Sequence, residues 1–345
     1  MRNCSFRKIM VFGTILLCVW LNIIPIGISE KVDEIRIITV DDEVGDGDYT
    51  SIKEALNISN PGDTIEVYSG IFYDNDMVIQ KDRVTLKGIS HELGNGSDIG
   101  MPIIYGTGSH YILMVDNAQN VTISGFCMKN DEYDLYIVLQ DAIGCIISDN
   151  SINDETTGNH PFDHNIRNSL GGCIECCYYS KDCKIVNNTI RQNHNRSGIF
   201  ITSTCEYFMI SDNVISDADI GILFYGKYSI IMRNRISGCK NYGITLLSSR
   251  YNTVSYNNLT DNPVGVNLSF SQWNKIEMNN FIDNQDHAQF FQGGFGDGFP
   301  GFNRWNNNYW GQPRMVPYLI QGYIFRSFHW CNIDWHPAQE PYTLS

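Results

Sequence analysis

Basic side chains are scarce in this chain: Lys and Arg total 24 against 38 Asp and Glu in 345 residues, a formal net charge of −14. A protein that grips phosphate backbones carries the opposite balance, so the partner class is not nucleic acid. Beyond the first thirty residues the chain also lacks any run long and apolar enough to span a bilayer. Helix-periodic stretches are nearly absent. Charged residues reach only 18% against 43% hydrophobic, which excludes a disordered chain and leaves ample material for a core. Asparagine, by contrast, makes up about one residue in ten, and the asparagines are spaced.

The first residues read as an address. Arg2, Arg7 and Lys8 precede an apolar stretch, residues 9–28, broken only by Thr14, Asn22 and Pro25. Gly27 and Ser29 then supply the small residues of a cleavage site, so residues 1–29 are expected to be a secretory signal peptide. The alternative is an uncleaved membrane anchor, the chain's only route to a membrane, since about 20 apolar residues can span. Loss of the three basic side chains deepens the net charge to −17. Asn-x-Ser/Thr sequons start at Asn57, Asn95, Asn120, Asn187, Asn195, Asn258 and Asn267; they suit export but arise equally by chance in an Asn-rich chain. The expected location is extracellular, cell-surface or periplasmic.

Two registers repeat about every 22 residues. Gly198, Gly221, Gly243 and Gly265 are spaced 23, 22 and 22 apart, and each is followed by apolar residues at +1 and +3. That period of two predicts a strand with one buried face. Asn150, Asn188, Asn213, Asn234, Asn257 and Asn279 form the second register. An apolar residue lies three before each (Ile147, Ile185, Ile210, Ile231, Val254, Ile276) and another two after (Ile152, Ile190, Ile215, Ile236, Leu259, Phe281). Coils this short cannot bury their own apolar face, so they must stack. Stacking makes the Ile/Val positions into apolar ladders and the asparagines into amide ladders at the bends. A leucine-rich repeat has a similar period but needs a Leu pattern that is absent. The expected fold is all-β: a single-stranded parallel β-helix of about ten coils.

The ends differ from the middle. Ser51 and Glu54 form a capping box before Ile52, Ala55 and Leu56 on one helical face, which predicts a short helix covering the first coil. Residues 290–302 are rich in Gly and Phe, and Trp305, Trp310, Trp330 and Trp335 crowd the tail. They read as an aromatic cap, with a sugar-stacking platform as the alternative. The expected organisation is residues 1–29, a β-helix over 30–284 with an N-terminal cap and an insertion at 154–171, and a C-terminal aromatic and Gly-rich cap over 285–345.

Particular residues carry a family resemblance. Val40-Asp41-Asp42, the run from Tyr49 to Leu56, and Pro61-Gly62-Asp63-Thr64-Ile65 resemble the start of many pectate-lyase-like β-helix proteins. The Gly-Ile-x-Leu and Asn-x-Ile units resemble the NosD-type β-helix family, named for a periplasmic protein of copper-enzyme maturation. Asn308-Tyr309-Trp310-Gly311 resembles the end of that group's repeats. The resemblance spans roughly residues 37–311 and implies a right-handed helix, in keeping with the preference of parallel crossovers. It leaves activity open, because the superfamily holds lyases, hydrolases, epimerases and proteins without catalysis. The paired Asp and Gly-His-Gly motifs of polygalacturonases are absent, as is a pectate-lyase-like Asp-His strand motif.

Chemistry-bearing residues gather at one bend. The insertion carries His160, Asp163, His164 and Arg167; the next coil carries Arg191, His194 and Arg196 at the same bend, and the one after it Asp217 and Asp219. A lyase or epimerase acting on a uronic acid needs a cation beside the sugar carboxylate and a base for the C5 proton, roles open to Arg and His. A solvated polar loop is the plainer reading. His160, Asp163 and His164, with Cys173, Cys176 and Cys177 behind them, are of types that suit copper or zinc, though their spacing matches no standard site. Asp41, Asp42, Glu43, Asp46 and Asp48 are candidates for calcium, departing from EF-hand order, with a solvated acidic loop as the alternative. Cleavage after Ser29 leaves nine cysteines, an odd number. Cys145 and Cys183 each lie five residues before a ladder asparagine, which places them in adjacent coils. Three functions stand: an exported protein binding a polysaccharide or cell-envelope glycan without catalysis, a polysaccharide lyase or uronic-acid epimerase, and a metal-handling accessory protein like the family's namesake.

Overall fold

The structure is a computed structural model that describes residues 35–106, 111–130, 135–154, 171–192, 196–292, 303–324 and 328–343. Three parallel sheets wrap around one apolar core. Sheet I holds ten strands, from Met77–Ile79 to Tyr318–Ile324; sheet II holds twelve, from Ile37–Val40 to Phe328–Asp334; sheet III holds ten, from Ile71–Phe72 to Tyr309–Trp310. Sheets I and II meet in one antiparallel hairpin, Tyr318–Ile324 with Phe328–Asp334. The ten strands of sheet III bound about nine full turns, against the ten coils expected.

The apolar ladders run as the repeat requires. On sheet II, Ile123, Ile147, Ile185, Ile210, Ile231, Val254 and Ile276 stack in register and are fully buried. Sheet III contributes Ile152, Ile190, Ile215, Ile236, Leu259 and Phe281. Sheet I contributes Ile174, Ile199, Ile222, Ile244 and Val266. Each such side chain stabilises the fold by roughly 1.5–3 kcal/mol on burial. The repeat glycines mark the corner before sheet I. A Cβ on Gly198 would lie 2.6 Å from Ile215 Cγ2 and 2.8 Å from the Gly221 carbonyl oxygen of the next coil, so no side chain fits.

The asparagines form the expected ladder at the corner between sheets II and III. Asn213 Oδ1 accepts from Asn188 N and Nδ2 at 2.9 and 3.0 Å, and Asn213 Nδ2 donates to Ile185 O and to Asn234 Oδ1, both at 2.9 Å. The pattern repeats from Asn150 to Asn308. It ends on Asp334, a wholly buried carboxylate. Asp334 accepts from Asn307 N, Asn308 N, Asn308 Nδ2, Trp310 Nε1 and His336 N. Shorter ladders run through Asn252, Asn274 and Asn303 and through Asn262 and Asn284.

At the N-terminal end the helix Ile52–Ile58 buries Ile52, Ala55 and Leu56. Ser51 Oγ accepts from Glu54 N as the capping box requires. The first turn is also held from afar: Asp74 accepts from Ser51 Oγ and Ile52 N at 2.9 and 2.7 Å. At the other end Trp305 and Trp310 are buried, with Trp310 stacked between Phe281 (centroids 4.5 Å) and Tyr318 (4.0 Å). Trp330 and Trp335 are exposed.

The ladder makes a measurable demand. Asn234→Ala removes the acceptor for Asn213 N and Nδ2 and is expected to cost about 1–3 kcal/mol in chemical unfolding. Asn241→Ala, at an exposed position outside the ladder, is expected to change stability by less than about 0.5 kcal/mol.

Candidate functional site

The bend between sheets III and I was the expected place for chemistry. The residues flanking the two segments are in register: Ser151, Ile152 and Asn153 pair with Thr189, Ile190 and Arg191, and Gly172 pairs with Ser197. His160, Asp163, His164, Arg167 and His194 lie outside the described residues. Arg191 Nε meets Asp217 Oδ2 at 2.9 Å, with both side chains largely exposed, an ion pair worth little stability. The Arg196 carbonyl accepts from Asp219 N at 2.9 Å, while the Asp219 carboxylate accepts from Asn241 Nδ2. Arg196 also faces Glu175, a residue the sequence did not single out. Burial raises the Glu175 pKa and the Arg196 charge partly opposes that.

The cysteines near this bend are buried or half-buried. Cys173 and Cys176 are buried in the core, and burial pushes Cys176 well up and Cys177 to about 12. Cys205 and Cys239 are buried as well, and all nine described cysteines are free thiols. Cys145 and Cys183 lie in adjacent register, as expected, and their thiols interact. The acidic loop is arranged differently from its sequence order. Asp48 turns away to accept from Thr39 N and Oγ1, which lowers its pKa. Glu92 and Asp98 join Glu43 in its place. The Asp41 carboxylate, burial and Asp42 together push Glu43 up to about 8.

An exposed column of rings runs down the outside. Tyr207, Tyr228 and Tyr251 stack at 5.4 and 5.3 Å, and Trp273 follows one coil further on. All four have φ near +60°, which turns the side chains outward. The three tyrosines stack face to face, with Tyr228 covered on both sides.

A concave site lies at the C-terminal end of sheet I. A cleft of about 370 Å³ is lined by Asp286, His287, Gln289, Tyr318, Gln321, Tyr323 and His329, among others. Gln289 Nε2 donates to Asn267 Oδ1 at 3.4 Å; the next residue of that column, Thr245, is buried. Gln289 and Asn267 thus lead into the cleft along the outside of sheet I. Tyr323 and His329 rings lie 4.3 Å apart across the terminal hairpin. His287 occupies the register position of the repeat glycines, directly after Gly265. The sequence signal was present, since the glycine spacing of 22 continues from Gly265 to this histidine. A side chain fits here because the following strand, Tyr318–Ile324, pairs only with Phe290, Phe291 and Gln292 and leaves His287 outside the ladder. His287 packs beside Phe281, Trp310 and Tyr318, and its Nδ1 is buried without a partner. Burial and then the Arg314 charge hold its pKa below 6.5. Arg314 Cζ sits 4.8 Å above the Tyr318 ring, whose phenol is pushed up by burial.

This architecture defines a parallel β-helix protein. Residues 162–315 match the family model described as "Periplasmic copper-binding protein (NosD)", so the NosD-type resemblance of the Asn-x-Ile units is shown across that span. No curated protein matches the chain. Among solved structures, a mutant of the periplasmic alginate epimerase AlgG is similar at 16% identity over 76% of this chain and 68% of that one, with a TM-score of 0.46. An alginate lyase from Paenibacillus sp. str. FPU-7 is similar at 16% identity over 80% and 98%, with a TM-score of 0.43. The A-module of a mannuronan C-5 epimerase from Azotobacter vinelandii is similar at 14% identity over 74% and 81%, with a TM-score of 0.45. At these identities the likeness is one of fold.

A half-buried imidazole held neutral by its surroundings ties stability to pH. The unfolded chain takes up a proton at His287 below about 6.5 while the folded chain resists it, so folding loses stability as pH falls through that value. The melting temperature of the wild type is expected to drop more steeply below about pH 6.5 than that of His287→Gln, measured side by side.

Proposed function

We propose that this is an exported β-helix protein that binds a polysaccharide or cell-envelope glycan, with the C-terminal cleft as its binding site. The observation that carries this reading is the cleft itself. It is large enough for a small ligand and lined by amides, a carboxylate, imidazoles and phenols, groups that match a ligand rich in hydroxyls. Gln289 and Asn267 extend the polar lining along sheet I, in the direction a long chain would lie. The basic and apolar character of residues 1–29 supports export. Among the described residues no helix is long and apolar enough to cross a membrane.

One arrangement favours a second reading, a polysaccharide lyase or uronic-acid epimerase. His287 is neutral at physiological pH, and Arg314 and Tyr318 adjoin it. An uncharged imidazole suits removal of a C5 proton, a guanidinium suits the sugar carboxylate, and a phenol suits delivery of a proton. In a lyase the C5–H electrons form the double bond as the C4–O bond breaks; in an epimerase a proton returns to C5 from the opposite face. The metal-handling reading rests on His160, Asp163 and His164, outside the described residues.

A glycan panel tests both. Binding to at least one polysaccharide is expected, and Gln289→Ala and Tyr323→Ala are each expected to weaken it about tenfold, the loss of roughly one hydrogen bond, without lowering the melting temperature. No binding, or binding that neither substitution touches, removes the cleft from consideration. Ultraviolet absorbance of an unsaturated uronic product, lost in His287→Ala while binding persists, would establish the lyase.

A further inference from the structure

We propose that the N-terminal end of the corner between sheets II and III is a calcium site, with Asp41, Asp42 and Glu43 supplying one carboxylate oxygen each and Glu92 and Asp98 extending the site through Glu43. Downstream this corner is filled by the asparagine ladder, whose amides both donate and accept. Carboxylates only accept, so each one placed here needs donors. At the C-terminal end Asp334 has them: five N–H groups converge on it.

The N-terminal end is the opposite case. Asp41 Oδ2, Asp42 Oδ1 and Glu43 Oε2 are all buried without a hydrogen-bond partner. One ligand oxygen from each of the three residues lies within 4.8 Å of the others. Asp41 is 0% exposed, so bulk water does not reach its free oxygen. The companion oxygens are already fixed. Asp41 Oδ1 accepts from Glu43 N at 3.1 Å and Asp42 Oδ2 from Ile71 N at 3.0 Å, which holds the free oxygens in place. Glu43, Glu92 and Asp98 form a second group of the same tightness. Glu92 is itself oriented by Leu93 N and Asp98 N at 3.0 and 2.9 Å. Among the described residues no ion pair reaches any of the five carboxylates.

The donor set is oxygen alone, which selects a hard cation. Calcium accepts about six to eight oxygens in irregular arrangements at about 2.3–2.6 Å, whereas magnesium demands a near-ideal octahedron. Strand register explains why the ligands meet. Ile37–Val40, Thr64–Val67 and Thr85–Gly88 are successive strands of sheet II, so the bends after the first and third stack at one corner. The ion would tie the loop after the first strand to the loop over residues 91–98 and close the exposed end of the stack. The site is independent of the carbohydrate reading.

The test uses the purified protein, stripped with a chelator and then dialysed against calcium chloride alone, with magnesium chloride as the comparison. Bound calcium and the melting temperature are measured for the wild type, Asp42→Asn and Glu43→Gln. The wild type is expected to retain calcium and to melt several degrees higher with it than with chelator, and to respond less to magnesium. Both variants keep the shape of the side chain, and each is expected to lose at least about tenfold in calcium affinity as ligand charge falls. The competing occupant is a proton shared between Glu43 and Asp41. In that case calcium neither binds nor shifts melting in the wild type, which overturns the proposal. Calcium binding that both variants leave unchanged overturns it equally.

Discussion

The structure depends on the buried amide at the corner between sheets II and III. The residue before each ladder asparagine is left-handed: Asp149, Asn187, Asp212, Arg233, Tyr256, Met278 and Asn307 all have φ between 55° and 60°. Such a backbone costs roughly 1 kcal/mol for a non-glycine residue and turns the chain sharply enough to strand the next N–H inside the fold. The side-chain carbonyl from the following coil accepts that N–H, and the side-chain amide repeats the service in both directions. No other uncharged side chain of this size has a donor and an acceptor to offer in that geometry.

Once the corner is fixed, the rest follows by phase. Three residues back and two residues on are the inward positions of the flanking strands, which is why isoleucine recurs there. The glycine column belongs to the next corner, where the coil turns so tightly onto sheet I that a Cβ would strike the neighbouring coil. Each coil contacts only its neighbours, so the local requirement propagates without any long-range design. The ladder also sets what an end must provide. Its last amide needs an acceptor and has nothing further to give to, and a carboxylate such as Asp334 meets that need where a glutamine or asparagine would bring a surplus donor.

The repeated part of this fold was legible because it is written many times. Ile210, Asn213 and Gly221 could be assigned to a face, a corner and a bend from spacing alone, and the short helix from Ser51 and Glu54. What was not legible is what occurs once. Asp74 caps that helix across 22 residues of chain, and Asp334 closes the ladder from the far side of the terminal hairpin; neither has a repeat to reveal it. The acidic loop showed its composition but not its membership, since Asp48 is taken by Thr39 and Glu92 arrives from another coil. The cleft was the largest omission. His287 stood in plain register with the glycines, yet a departure from a pattern reads as noise until the structure shows that the stack ends beside it.

That distinction bears on where function can reside. Inside a stack of equivalent coils, every inward position is committed to packing and every corner amide to its neighbours, so a reactive or binding group has no room without breaking the repeat. The chain breaks it in three places: the insertion at 154–171, the histidine that replaces a glycine in the last regular coil, and the carboxylates that stand where amides would otherwise be. At the second of these, the following strand Tyr318–Ile324 pairs only with Phe290, Phe291 and Gln292, which leaves His287 outside the ladder and opens the cleft beside it. The group and its access thus have one cause, and the proposed binding site falls at the end of the helix rather than on its regular flank for that reason.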